Sequence, residues 1–250
     1  MHKTNQIHMA RNHTMVYGDT KTIPEIFEKG EVDLMIQTIA TSKKYVKNIW
    51  GEWMKVRDIA LLLSIYLLGL RPAEACKLHQ EDFDLKEMIV HIRGTNNKQR
   101  KDRILPIPEK LMKILIAYFK FPSYMWRGSK YLFPSMENDY LAPQRWKAIF
   151  REKVLKPMGK WVAPQNERGQ GTPKFRSYNL RATRATELLD ETQGDIFSVV
   201  NFLGHADLRS VTKYLPRCSY FQSQLRNALN GIDNKNKENS EEASIFVQNG

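Results

Sequence analysis

Met88 to Ile107 reads MIVHIRGTNNKQRKDRILPI. Its two ends, Met88–Arg93 and Arg103–Ile107, are built from Ile, Val and Leu, side chains that suit a pleated, half-buried surface. Between them Gly94–Asp102 is polar and basic, opened by a glycine, so it has turn character. This stretch predicts a β-hairpin with a charged tip. Because its surroundings follow a helical period, the expected fold is mostly α with one small antiparallel β-sheet, an α+β domain.

Upstream of the hairpin, Val32, Leu34, Met35 and Ile39, then Val56, Ile59, Ala60, Leu63 and Leu67, recur at helical spacing until Gly69 closes the second run. A short helix is expected after Pro72. Downstream, helical patterns cover Glu109–Phe119, Gln144–Leu155, Leu180–Leu189, Asp195–Phe202, Leu208–Tyr214 and Tyr220–Leu229. Residues 1–22 are polar and lack apolar periodicity, which predicts a flexible leader; residues 231–250 read as a solvated tail. One domain is expected over 23–230.

Composition narrows the function classes. The 250 residues are 42% hydrophobic and 26% charged, ordinary for a soluble globular protein. The formal net charge of +12 favours a polyanionic partner, nucleic acid being the commonest. Ile59–Leu70, the most apolar run, is far shorter than the roughly twenty residues a membrane-spanning helix needs. The N-terminal residues lack the apolar stretch of a secretory signal. Two cysteines, Cys76 and Cys218, lie far apart without a ligand-spaced partner, against a disulfide scaffold or zinc site. A reducing cytoplasmic location, nucleoid-associated on DNA, is expected. No glycine-rich phosphate loop, HExxH pair, GxSxG elbow or EF-hand loop occurs.

Four separated segments stand out: Gly69-Leu-Arg71-Pro-Ala-Glu74, Asn97-Lys98-Gln-Arg100-Lys101-Asp-Arg103-Ile-Leu-Pro106, Tyr178-Asn-Leu-Arg181-Ala-Thr-Arg184-Ala-Thr186, and Leu203-Gly-His205-Ala-Asp207 followed by Tyr214. Taken singly each has a plain reading, as a surface ion pair, a solvated turn, a helix cap or a core aromatic. Their joint order and spacing over residues 23–230 resemble the catalytic domain of the tyrosine recombinase (phage integrase) family.

The set suits attack on a phosphodiester. Two arginine forks can hold nonbridging oxygens bidentately while negative charge gathers on them. A phenol, with an ordinary pKa near 10, needs a cationic pocket or a proton acceptor to serve as nucleophile. The resemblance implies that Arg71 and Arg181 clamp the phosphate, that Tyr214 attacks it to form a 3′-phosphotyrosine, and that His205 tends the phosphate or the tyrosine proton. Lys98 would protonate the departing 5′ oxygen, with Lys101 the competing choice. Glu74 would buttress Arg71. Neither a metal nor a cofactor is expected, because the arginines take over the charge work and the phosphotyrosine conserves the bond energy.

Tyr178 departs from the family pattern by standing where most members carry histidine. A tyrosine can donate a hydrogen bond to phosphate but is a weaker acid and base near neutral pH. Arg100, Lys101 and Arg184 are expected as DNA-backbone contacts. Double-stranded DNA is the expected partner, with self-association into a tetramer on DNA through the C-terminal helix around Tyr220–Leu229. The helical domain that members usually carry before the catalytic one does not fit before Ile23, so a minimal enzyme, a fragment or a separate clamp remain open. So do a type IB topoisomerase or telomere resolvase with the same chemistry, and a catalytically silent DNA-binding protein.

Overall fold

The computed structural model describes residues 23–96, 100–162, 174–204 and 208–230. The hairpin lies at one side of a three-stranded antiparallel sheet in the order β1 (Phe83–Asp84), β2 (Ile89–Ile92), β3 (Arg103–Pro106). Val90 pairs with Leu105 and Ile92 with Arg103. Val90, Ile92 and Leu105 are buried whereas Ile104 is exposed, the alternation a one-sided sheet requires. The two-residue β1 was not expected from the sequence; so short a segment carries no alternation to read.

Helices make up the rest. The first, α1 (Glu31–Thr41), buries Val32, Met35 and Ile39. Leu34, expected on that stripe, is 49% exposed. Two residues from Val32 is about 200° around a helix, so Leu34 falls on the opposite face. Next, α2 (Ile49–Leu67) starts at Asn48, whose side chain accepts the Gly51 N–H at 3.1 Å. Every residue from Ile59 to Ile65 is buried, so α2 is the central helix, apolar on all sides. It packs against α1, α4 (Glu109–Phe119) and α6 (Tyr178–Glu191).

Between α2 and α4 lies the four-residue α3 (Pro72–Ala75). After α4 come α5 (Pro143–Phe150), continued by a π-helical turn over Arg151–Leu155, then α6, α7 (Ile196–Leu203), α8 (Arg209–Thr212) and a last helix, α9, over 219–230. The core has two parts. A large one around α2 includes Trp53, Tyr118, Trp126 and Leu180. A smaller one holds Ala182, Ala185, Leu189, Val199, Leu203, Val211, Tyr214 and Cys218. Helix α6 serves both, which leaves Arg181 at the seam between them.

At the end of α2 the chain turns through Gly69 at φ +57°. A Cβ there would stand 2.6 Å from the Phe202 ring and 2.8 Å from Leu203, so both conformation and space demand glycine. That close approach sets Arg71 beside the end of α7. Among the described residues no helix is long and apolar enough to cross a membrane.

Candidate active site around Glu74

Arg71 immediately precedes Pro72, whose fixed φ starts α3. Glu74, three residues on, reaches back to the start of the helix: the Arg71 backbone N–H donates to Glu74 Oε2 at 3.0 Å and Arg71 Nη1 to Oε1 at 2.6 Å. Two further guanidinium groups converge on the same carboxylate. Arg103 Nη2 donates to Oε2 at 3.3 Å, and Arg181 Nη1 lies 3.8 Å from it. Glu74 is only 2% exposed, which excludes a surface role; an ionised carboxylate so deep is tolerable because cations surround it.

Arg181 ties the segments together. It is fully buried, and it donates from Nη1 to the Gly69 carbonyl at 2.5 Å and from Nη2 to the Leu203 carbonyl at 2.8 Å. Burial, then the neighbouring Arg71 charge, pulls its guanidinium down to about 10, while Glu74 and the phenols of Tyr214 and Tyr178 partly offset this. Arg103 is lowered as well, chiefly by burial and then by Arg71, with Glu74 opposing. The Arg103 guanidinium also packs on Gly204, at φ +60°, where a Cβ would sit 2.4 Å from Nη1.

Tyr214 follows α8 and is fully buried. Its hydroxyl makes no well-aligned hydrogen bond among the described residues, but Tyr178 and Arg181 stand close enough to act on it. Burial, then the charge of Tyr178, raises its pKa well above the ordinary phenol value. Tyr178, the first residue of α6, goes the other way: burial would raise it, but Lys213, then Arg181, Tyr214 and Arg71, bring it below the ordinary value. Lys213 Nζ lies 5.0 Å from the Tyr214 ring centroid and 5.9 Å from that of Tyr178.

Arg71, Tyr178, Arg181, Tyr214 and Glu74 therefore meet in one cluster. Lys98 and His205 lie outside the described residues. Arg100 and Lys101 are exposed at the hairpin, Arg100 with φ +51°. Arg184 does not join the cluster. It contacts Glu187 at 3.4 Å and Glu191 at 3.0 Å, and lines a separate cavity of about 560 Å³ with Tyr66, Lys110 and Arg217. Among the described residues no group of three or more His, Cys, Asp or Glu could hold a metal ion, and both cysteines are free and buried.

Sequence reasoning missed two members. Arg103 was only one of several basic hairpin residues, yet alternation counted back from buried Leu105 puts it on the inward face. Lys213 was legible only as the neighbour of Tyr214, since nothing in the sequence says that it overlies Tyr178.

The description "Phage integrase family" matches residues 27–217. Tyrosine recombinase XerA of Thermococcus kodakarensis is 26% identical, over 78% of this chain and 58% of the relative. Tyrosine recombinase XerA of Pyrococcus horikoshii is 31% identical, over 68% of this chain and 53% of the relative. The chain thus spans little more than half the length of these curated relatives. Among solved structures, XerA recombinase aligns at TM-score 0.57 with 24% identity, covering 77% of this chain and 60% of that one. The Tn1549 transposon integrase in complex with circular intermediate DNA aligns at TM-score 0.55 with 17% identity, covering 79% and 63%. The catalytic domain of bacteriophage HP1 integrase aligns at 0.50 with 16% identity, covering 83% and 94%. These similarities share the fold described above.

Proposed function

The chain belongs to the phage integrase family, and from that premise we propose that it is a site-specific DNA recombinase, cutting and rejoining strands through a 3′-phosphotyrosine on Tyr214. The observation that carries this reading is the convergence of three separated segments on one cluster: Arg71 and Arg181 meet on the carboxylate of Glu74, and Tyr178 and Tyr214 act on Arg181 beside it. The names of the relatives, recombinases and integrases, point the same way. Residues 23–230 act as the catalytic domain.

In this reading Arg71 and Arg181 hold the nonbridging oxygens of the scissile phosphate. Their positions are set beforehand by Glu74 and by the Gly69 and Leu203 carbonyls, so little reorganisation is needed as charge develops. Tyr214 Oη attacks phosphorus, and the 5′ oxygen leaves with a proton from Lys98 or Lys101. His205 bonds the phosphate. The phosphotyrosine keeps the bond energy, so religation needs no ATP, and the guanidinium charges take the part that metal ions play in other phosphoryl transfers.

The substrate is double-stranded DNA, approached through the net positive surface, with Arg100 and Lys101 contacting the backbone. Self-association is expected through α9, where Leu225 and Leu229 are 37% and 54% exposed. Mixed substitution of both by serine should leave cleavage of a single site intact and reduce the multimer seen on DNA by native gel.

The test is a suicide DNA substrate carrying candidate recombination ends, incubated with chelator and resolved on a denaturing gel. A covalent adduct, absent from Tyr214→Phe and strongly reduced in Arg181→Ala, is the expected result. Exchange between two sites then marks recombination, whereas relaxation without exchange marks a topoisomerase and hairpin ends a resolvase. Tight binding without adduct on any such substrate would support a silent DNA-binding protein instead.

A further inference from the structure

The two phenols of the site share one cation. Lys213 Nζ stands over both rings, 5.0 Å from the centroid of Tyr214 and 5.9 Å from that of Tyr178. Among the described residues no carboxylate pairs with Lys213. Tyr178 is also the first residue of a fourteen-residue helix, where the aligned peptide dipoles favour negative charge. The groups bearing on it are Lys213 from the end of α8, Arg181 from its own helix, Arg71 from the start of α3, and Tyr214. Three are cations and the fourth is a phenol. The Tyr214 hydroxyl, by contrast, is buried, and the side chains that bear on it are Tyr178 and Arg181.

We propose that Lys213 is a positioning residue for strand cleavage: it stabilises a phenolate on Tyr178, and that phenolate accepts the proton of Tyr214 as Tyr214 attacks. This rests on the reading of Tyr214 as nucleophile. The pair loses one proton to solvent before the reaction. In the step itself the Tyr214 O–H bond breaks, its proton moves to the Tyr178 oxygen, the Tyr214 oxygen bonds phosphorus, and the P–O5′ bond breaks with the 5′ oxygen taking a proton from the hairpin lysine or from water. Religation runs the same transfers backwards. Tyr178 thereby recovers, through its surroundings, the base function that its ordinary phenol pKa would deny it; both the opposed displacements of Tyr178 and Tyr214 and their origins agree with this division of roles.

Two measurements on the full chain test this. The first needs no DNA: tyrosinate ultraviolet absorbance is followed against pH for the natural chain, Tyr178→Phe, Lys213→Gln and Lys213→Arg. One phenol should ionise below the bulk of the tyrosines, vanish in Tyr178→Phe, move up by about one pH unit in Lys213→Gln, as a partly screened cation 5.9 Å from the ring centroid implies, and return in Lys213→Arg. The second is the single-turnover rate of adduct formation against pH, whose rising limb should shift upward by the same amount in Lys213→Gln, about tenfold in rate below the limb. Coincident titrations of Lys213→Gln and the natural chain would overturn the proposal, as would an early phenol that persists in Tyr178→Phe. If the early phenol behaves as expected but no chain forms an adduct, the recombinase reading fails while the charge coupling stands. An adduct whose pH profile ignores Lys213 sinks the coupling and leaves the recombinase reading intact.

Discussion

Replacing Glu74 by glutamine keeps volume and one acceptor oxygen but removes the charge on which Arg71, Arg103 and Arg181 converge at 2.6, 3.3 and 3.8 Å. The amide NH2 of glutamine would then face a guanidinium. A unit charge pair at 4 Å is worth about 4 kcal/mol at an effective dielectric of about 20. The Arg71 side chain is 21% exposed, so water screens its share, whereas Arg103 at 10% and Arg181 at 0% have little such relief. Part of the loss is returned because glutamine is cheaper to bury than a carboxylate, and because its carbonyl still accepts one hydrogen bond. Removing one member of a buried ion pair generally costs about 3–5 kcal/mol, and the retained bond argues for the lower end, about 3 kcal/mol. For a chain of this length that lowers Tm by roughly 6–12 °C, while a total stability of roughly 5–15 kcal/mol keeps the variant folded.

Urea unfolding, followed by tryptophan fluorescence, measures the loss. A second arm tests its cause: inorganic phosphate should restore Tm in Glu74→Gln more than in the natural chain, because an added anion supplies the charge the side chain has lost, and sodium chloride at equal ionic strength should not. A loss below about 1 kcal/mol, with identical phosphate responses, would refute the reasoning. Glu74 would then be a helix-end acid whose surroundings are incidental.

Gly204→Ala should cost about 1–3 kcal/mol and slow adduct formation, since a Cβ 2.4 Å from Arg103 Nη1 displaces that guanidinium from Glu74 on top of the left-handed φ; chemical unfolding and the denaturing gel read the two effects. Lys153, which stands over the Tyr45 ring, is lowered to about 8 chiefly by burial, so the folded chain releases its proton before the unfolded chain does. Stability should therefore rise as pH climbs from about 8 towards the unfolded value of 10.5, and Lys153→Met should flatten that rise in unfolding curves taken at each pH. Burial pushes the Cys76 thiol up to about 12 and raises Cys218 too, so at pH 8 both should react with a disulfide reagent only as fast as the chain opens, which denaturant should accelerate.

The elements that the sequence made legible are those where one periodicity ran unbroken. Helix α4 spans Glu109–Phe119 as its apolar spacing implies, and the hairpin strands lie within the two predicted runs. Leu34 misled because any apolar residue near a stripe is easily counted into it, whereas the partner helix covers only one face. The clustering of Arg71, Arg181 and Tyr214 was readable because the motif is a spacing of residue types. Their common anchor was not: the sequence places Arg103 twenty-nine residues from Glu74, and only the inward face of β3 joins them. Arg184, expected as a DNA-backbone contact, pairs with two glutamates of its own helix, an arrangement that its place in the motif does not reveal.

The balance of charge in the site argues its own case. Arg71, Arg103 and Arg181 share the single carboxylate of Glu74, Lys213 adds a further cation over the two phenols, and two of the guanidinium groups are titrated downward by burial and by the neighbouring Arg71. A fold selected for stability alone has no reason to hold such an excess, because replacing buried charges by apolar groups is often neutral or favourable. The strain becomes intelligible if an anion completes the arrangement. A phosphodiester would meet an Arg181 guanidinium already stripped of water and already fixed by the Gly69 and Leu203 carbonyls, so the cost of desolvating and orienting it is met during folding rather than at the moment of reaction. The same excess bears on the tyrosine that stands at position 178 in place of the usual histidine: the cations around it outweigh its burial and hold the phenol below its ordinary pKa, which favours the base role proposed for it.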